Sequence, residues 1–292
     1  MFFFKYLLNK LKLKKKNIIK KKFESLDQLV FEKRQNIYLD VLFDKPNEVL
    51  NLYVQFYGQG LPTVINFHGA VNQKKTIMPH FTGTTLSKFL KCNVISISDP
   101  SLRINKDLTS CWYIGSKNFE LSSVLPAVLE KIKKKFLSKK IILFGSSGGG
   151  FAALYYSRIL SCECIVNSPC TTLTKHPKPK LVEHSISKMY NLKNPDQIYK
   201  FLHQKKTDLN FDYELKNKLK IFINENDKRV LQFFLNPFWK QFGISLENGQ
   251  YKSPNINGAE LKIIKFKKKE AHTYPPLPML IDEFKKSLWS EL

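Results

Sequence analysis

The residues best placed to do chemistry lie between Ile141 and Ala153, IILFGSSGGGFAA. A β-rich apolar run, Ile141 to Phe144, enters a Gly-x-Ser-x-Gly pentapeptide, Gly145 to Gly149, and leaves as a helix of small residues. Strand, sharp turn and helix in that order make a nucleophile elbow, with Ser147 at its tip. The spacing has a steric reason. A serine hydroxyl held clear at a strand-to-helix turn sits on a strained backbone, and side chains two residues before and after it would meet the crossing helix. Gly145 and Gly149 remove those side chains. The helix that starts at Gly148 also aims unpaired amides at the reaction centre, where they can stabilise an oxyanion.

A serine hydroxyl is a poor nucleophile near neutral pH; it needs an adjacent base, and the base needs a carboxylate to fix its tautomer. Two loops beyond the elbow carry such groups. Lys218 to Asn224 reads as a strand ending in Glu225, Asn226 and Asp227, and Leu261 to Phe266 as a strand followed by a loop that reaches His272. No other histidine follows Asp227. Upstream, the run Thr63 to Phe67 ends in His68, Gly69 and Ala70. These pieces, with the acid ahead of the histidine and each on a loop just after a strand, resemble the α/β-hydrolase superfamily from about Ile37 to the C-terminus. The resemblance implies a serine acyl-enzyme mechanism. Ser147 is then the nucleophile and His272 the base, with Asp227 as the orienting acid and Glu225 as its rival. The amides of Gly148 and of Gly69 or Ala70 are the implied oxyanion donors. His68 is expected to orient its loop, and His80, His176, His184 and His203 to be surface or core histidines.

The elements that must position these groups alternate along the chain. Ile37 to Phe43 and Leu50 to Tyr57 read as an opening hairpin around Pro46 and Asn47. Strands at 63–67, 93–98, 140–144 and 163–167 then alternate with helices at 84–90, 119–136 and 149–160. Such alternation implies right-handed crossovers and a mostly parallel sheet with helices on both faces, an α/β class. From about 170 to 217 it breaks into a proline-bearing stretch with helical patches such as 181–190, expected to be a cap insertion over the site. Strand 218–224, a helix over 230–242 interrupted by Pro237, strand 261–266 and helix 280–288 complete the pattern. One α/β-hydrolase domain over 36–292 is expected, preceded by a basic amphipathic segment over 1–35.

Composition bounds the partners. The 292 residues carry a net charge of +24, and 43% are hydrophobic, enough for a sizeable core. The first 22 residues hold nine lysines and no acid, with Phe4, Leu7, Leu8, Leu11, Ile18 and Ile19 recurring at roughly helical spacing. That pattern suits an amphipathic segment lying on an anionic membrane surface, and its short apolar runs cannot span a bilayer. The expected location is cytoplasmic, peripheral at the inner membrane face. The remaining lysines are scattered, without zinc-finger spacing or an aromatic RNA-binding signature, so no nucleic-acid partner is expected. Five cysteines without CxxC spacing indicate neither a zinc site nor a disulfide framework, and Cys162 and Cys164 read as buried core thiols.

A narrower resemblance bears on the reaction. IILFGSSGGGFAALYYS, then IVNSPCTTLTKH with its Asn167-Ser168-Pro169 turn, and upstream SISDPSLRINKDLTSCWYIG are similar to bacterial capsule polysaccharide O-acetyltransferases built on this fold. The His68-Gly69 loop and the long basic N-terminal segment depart from that pattern. The resemblance implies acetyl-coenzyme A as co-substrate, no bound cofactor or metal, and a hydroxyl of an anionic surface polysaccharide as acceptor. Carboxylesterase or polysaccharide deacetylase is the alternative with the same triad, and a non-catalytic glycan assembly factor a third.

Overall fold

Runs such as Thr63–Phe67, Asn93–Ile97 and Ile141–Ser146 are largely apolar on both pleat faces, which suits strands covered on two sides. A computed structural model puts them at the centre of one sheet, with every residue of the three buried. The structure describes residues 18–45, 48–244, 255–256 and 259–289.

Among the described residues the sheet has ten strands. They are β1 (Ile18–Lys22), β2 (Gln35–Leu42), β3 (Val49–Phe56), β4 (Thr63–Phe67), β5 (Asn93–Ile97), β6 (Ile141–Ser146), β7 (Glu163–Asn167), β8 (Leu219–Asn224), β9 (Asn255–Ile256) and β10 (Ala259–Phe266). Their spatial order is β1-β2-β3-β5-β4-β6-β7-β8-β10-β9. From β5 to β10 the pairs are parallel, whereas β3 runs antiparallel to both β2 and β5. The expected opening hairpin is therefore present, and so is the mostly parallel sheet.

Helices α1 (Leu86–Leu90), α2 (Leu121–Phe136), α3 (Gly148–Leu160), α4 (Pro179–Tyr190), α5 (Pro195–Gln204), α6 (Leu209–Asp212), α7 (Lys228–Val230), α8 (Asn236–Lys240) and α9 (Leu277–Trp289) cover the sheet and its upper edge. Alternate residues of the central strands feed two separate cores. Ile65, Phe67 and Leu143 pack with Leu125 and Phe151, while Val64, Ile142 and Phe144 pack with Leu86 and Phe284. Helices on both faces follow from that alternation. Phe284 is fully buried and meets Phe144 edge to face at 5.1 Å, so Phe284→Ala would cost about 3–5 kcal/mol.

Three details differ from the sequence reading. Phe4, Leu7, Leu8 and Leu11 lie outside the described residues, but Ile18 and Ile19 belong to a strand and not to a helical repeat. β1 adds in parallel to β2, and the exposed Ile18, Lys20 and Lys22 alternate with the half-buried Ile19 and Lys21 in strand fashion. Next, the helix expected from 84 begins at Leu86 and stops at Lys91, whose left-handed backbone (φ 50°) ends it. Finally, Pro237 does not interrupt the helical stretch after β8. A π-turn over Leu231–Leu235 widens the chain, and Pro237 then falls in the first turn of α8. The hydroxyl of Thr171 donates to the Phe234 carbonyl in this widened turn at 2.9 Å.

The excursion between β7 and β8 carries α4, α5 and α6. It packs onto the loop after residue 109, with Ser185 Oγ donating to Ser110 O at 3.1 Å and Tyr190 OH to Ile114 O at 2.8 Å. Among the described residues no helix is long and apolar enough to cross a membrane.

Candidate active site

β6 delivers Ser147 to the start of α3 with φ 56° and ψ −120°, a backbone that L-residues avoid. The surrounding backbone holds it there. Ser147 N–H donates to Asn167 O at 3.1 Å, and its carbonyl accepts from the amides of Phe151 and Cys170, both at 3.1 Å. A methyl group on Gly145 would overlap the Gly149 carbonyl, and one on Gly149 would overlap the Phe67 carbonyl. The strand thus crosses the helix at backbone contact, which fits the steric reading of the motif. At Gly148 an added Cβ would come within 2.8 Å of Ser110 Oγ, so the first residue of α3 lies directly under the 110–113 loop.

His272 and Asp227 meet at the same place. His272 Nδ1 lies 2.6 Å from Asp227 Oδ2, and Val230 N–H donates to Asp227 Oδ1 at 3.2 Å. The Asp227 side chain is 3% exposed, against 35% for His272, so the carboxylate is enclosed while the ring faces outward. Burial alone would raise the Asp227 pKa. The hydrogen bonds from His272 and the Val230 amide, with the charges of His272 and Arg229, outweigh it and hold the carboxyl below the usual range. The rival is elsewhere: Glu225 is exposed and lies 3.9 Å from Lys265.

Ser147, Gly148, Ala70 and His272 line one cavity of about 210 Å³. Gly69 sits beside it, since a Cβ there would be 3.6 Å from Ser147 Cβ. The structure therefore gathers every predicted site residue except Glu225 around this cavity. His68 is behind it. Its Nε2 accepts from the Asp99 amide at 3.1 Å, so Nδ1 carries the proton and donates to Gly69 O at 2.7 Å. Burial pushes its pKa down to about 4, so the ring is a neutral strut for the loop, as expected.

Sequence reasoning missed the residues that hold these loops. The Asn224 amide donates to the carbonyls of Lys268 (3.1 Å), Glu270 (2.7 Å) and Ala271 (3.0 Å), and its Oδ1 accepts from Lys268 N–H at 3.1 Å. Asn167 donates to Thr273 O at 3.1 Å and to Ser146 Oγ at 2.9 Å. Two asparagines at the ends of β7 and β8 therefore tie down both flanks of His272. Their signal was a polar amide closing an otherwise apolar strand. On the other side, Asp99 accepts from the amides of Ser101 (3.0 Å) and Tyr113 (2.9 Å) and so braces Trp112 and Tyr113, both at positive φ. Burial outweighs the hydrogen bonds from Tyr113 and Ser101, and the Asp99 carboxyl is pushed up to about 6.

The architecture has known counterparts. The structure is similar to the capsule O-acetyltransferase of Neisseria meningitidis serogroup A, with a TM-score of 0.60 and 17% identity over 85% of this chain and 93% of that one. It is also similar to an esterase of Pyrobaculum calidifontis, with a TM-score of 0.54 and 13% identity over 92% and 88% of the two chains. The chain has the α/β-hydrolase fold. An S-formylglutathione hydrolase from Agrobacterium tumefaciens is a further example, with a TM-score of 0.52 and 14% identity over 88% and 94%. No family model matches the sequence, and no curated protein matches it. Within the α/β-hydrolase fold the elbow follows a central strand of the sheet, and here that strand is β6, flanked by β4 with the Gly69–Ala70 loop and by β7 with Asn167.

Proposed function

We propose that this chain is a serine acyl-transfer enzyme in which Ser147, His272 and Asp227 act as nucleophile, base and orienting acid. The observation that carries the reading is the 2.6 Å contact between His272 Nδ1 and the enclosed Asp227 carboxylate, on the wall of the cavity that Ser147 also lines. With Nδ1–H committed to Asp227, Nε2 is the lone-pair nitrogen and can take the proton of Ser147 Oγ. Oγ then attacks an acyl carbonyl, whose oxygen becomes negative and is met by the Gly148 amide and that of Gly69 or Ala70. His272 returns the proton to the departing alcohol or thiol, and the acyl group stays on Ser147. A second hydroxyl, deprotonated by His272, takes the acyl group and frees the serine.

For that second hydroxyl we favour a sugar of an anionic bacterial surface polysaccharide, with acetyl-coenzyme A as donor. The similarity of the GSSGGGF and Asn167-Ser168-Pro169 segments to capsule O-acetyltransferases supports this, as does the fold shared with the meningococcal protein. Hydrolysis is the second reading, supported by the 35% exposure of His272, which lets water reach an acyl-enzyme.

The two separate in one experiment. Purified protein is incubated with acetyl-coenzyme A and an anionic capsule oligosaccharide, and the sugar is weighed by mass spectrometry, beside a 4-nitrophenyl acetate assay. Ser147-dependent acetylation of the sugar is the expected result. Ester cleavage without acetylated sugar would leave the hydrolase, and full activity of Ser147→Ala in both assays would end the acyl-enzyme account.

A further inference from the structure

The mechanism uses one histidine of the cavity, but the cavity has two. His176, from the excursion after β7, lines it together with Lys178 and Arg229. Its ring is wedged between Trp112 (centroids 5.9 Å apart) and Phe234 (5.4 Å), both of which also line the cavity. The backbone N–H of Lys178 donates to His176 Nδ1 at 3.1 Å. A backbone amide can only donate, so Nδ1 is the lone-pair nitrogen and the proton of the neutral ring is on Nε2. Among the described residues no group accepts that Nε2–H. Burial, followed in order by the opposing Lys178 hydrogen bond and the charges of Arg229 and Lys178, leaves the His176 pKa lowered to about 4, so the ring is neutral through the working range.

Two cations lie beside it, and Arg229 also lends its charge to the Asp227 carboxylate. Neither Lys178 nor Arg229 forms an ion pair among the described residues, and no aspartate or glutamate lines the cavity. The lining thus brings together an imidazole N–H donor and two cationic residues, with no carboxylate among them. We propose that this wall is a subsite for an anionic oxygen group of the substrate, a phosphate or carboxylate, with His176 Nε2–H as the orienting donor and Lys178 and Arg229 as the charge partners. This rests on the acyl-transfer reading for the identity of the substrate but not for the existence of the subsite. A guanidinium and an N–H converging on an oxyanion make charge-assisted hydrogen bonds, the strong class. An imidazole that is neutral cannot supply the charge itself, which is why the flanking cations are needed.

A phosphate could reach the wall on the acyl donor or on the acceptor, so the test has two arms. Equilibrium binding is measured on full-length Ser147→Ala protein, which leaves the ligands unconsumed. One arm compares coenzyme A with pantetheine; the other compares a phosphate-bearing capsule oligosaccharide with its dephosphorylated form. In at least one arm the anionic member should bind more tightly, and that advantage should fall about tenfold in Lys178→Gln/Arg229→Gln. His176→Phe should weaken the anionic member while leaving the neutral one unchanged, and His176→Asn, which keeps an N–H donor, should recover part of the loss.

A chain of net charge +24 attracts any polyanion, so Lys134→Gln/Lys135→Gln on α2 serves as the control. If the control loses as much anionic preference as the cavity variants, or if neither arm shows a preference, the subsite is refuted. Failure of the acyl-transfer reading looks different: 4-nitrophenyl acetate cleavage that does not depend on Ser147, whatever the binding result.

Discussion

The floor of the cavity and the wall that carries His176 are built on different principles. On the floor, β6, α3 and the His68–Gly69 loop meet at backbone contact, so Gly145 and Gly149 have no room for a methyl group and Ser147 is held at φ 56° by bonds to its own peptide groups. On the wall, His176, Lys178 and Leu181 come from a stretch joined to the body by side-chain contacts and isolated hydrogen bonds, and Lys178 is exposed. Backbone geometry can place a reacting atom to a fraction of an ångström, whereas side chains on an excursion can be exchanged without moving it. In the mechanism proposed above the floor sets the reaction, and in the proposed subsite the wall chooses the substrate. Floor substitutions should be catastrophic and indifferent to substrate, while wall substitutions should be mild and substrate-dependent.

The largest effect expected is at Gly145. Gly145→Ala drives a methyl into the Gly149 carbonyl, neither side of which can yield without separating β6 from α3. A loss of about 3 kcal/mol or more is expected, with a matching fall in thermal midpoint by circular dichroism. A variant that kept its wild-type midpoint would break the contrast at its base. Next come the reacting groups. Ser147→Ala should keep the fold and lower kcat about 10⁴-fold or more for neutral and anionic esters alike, and Asp227→Asn about 10⁴-fold by leaving His272 in the wrong tautomer.

Asp227 also links activity to stability. Its carboxyl sits below the ordinary aspartate value of 3.8 in the folded chain. The stabilisation from this shift is complete above that value and is lost as pH falls through the folded one. The thermal advantage of wild type over Asp227→Asn should accordingly be full at about pH 6 and shrink below about pH 4. An advantage that grew on acidification would mean the carboxylate is not held by its partners.

The same division decides how much could be read from the chain. The central strands were legible because burial on both faces leaves continuous apolar runs, and the elbow because its glycines are demanded by local crossing. Ser147 and His272 followed from strand context together with the α/β-hydrolase resemblance, which put Asp227 ahead of its rival Glu225. Asn224 and Asn167 did not, because a polar residue at the end of a strand acquires its role only from a loop far away in sequence: Asn224 reaches residues 44 to 47 positions on. His176 was indistinguishable from any lone histidine until the fold set it between Trp112 and Phe234. β1 was hidden by composition, since IIKKK has the charge of a tail and only its pairing with Tyr38–Leu42 makes it a strand.

Asn224 gives the intermediate test. It belongs to neither floor nor wall, but it fixes the loop that brings His272 to the floor. Asn224→Ala removes the partner of the Glu270 and Ala271 carbonyls and of the Lys268 and Asn226 amides, a cost of about 1–3 kcal/mol, and frees the loop to shift. A displacement of about 1 Å at His272 would lower kcat about 10²-fold with little change in KM. If the variant instead raised KM with kcat intact, the His272 loop would belong to substrate recognition and the division between floor and wall would fail.

The smallest effect is the sharpest discriminator of the acid. Glu225 and Asp227 are two residues apart after β8, both carboxylates, and sequence context favoured Asp227 while leaving Glu225 as its rival. In the structure Asp227 turns inward to His272, and Glu225 faces solvent near Lys265. An exposed pair at 3.9 Å is worth between nothing and about 1 kcal/mol. Glu225→Gln should therefore leave kcat and KM within about twofold of wild type and the stability within about 0.5 kcal/mol, measured alongside Asp227→Asn. A 10⁴-fold loss at Glu225 with an active Asp227→Asn would exchange their roles and would require the β8 loop to rearrange before His272 could act. The enclosure of Asp227, at 3% exposure and with the Val230 amide on its second oxygen, argues against such a rearrangement, because it would leave that amide and the imidazole N–H without the acceptor they now share.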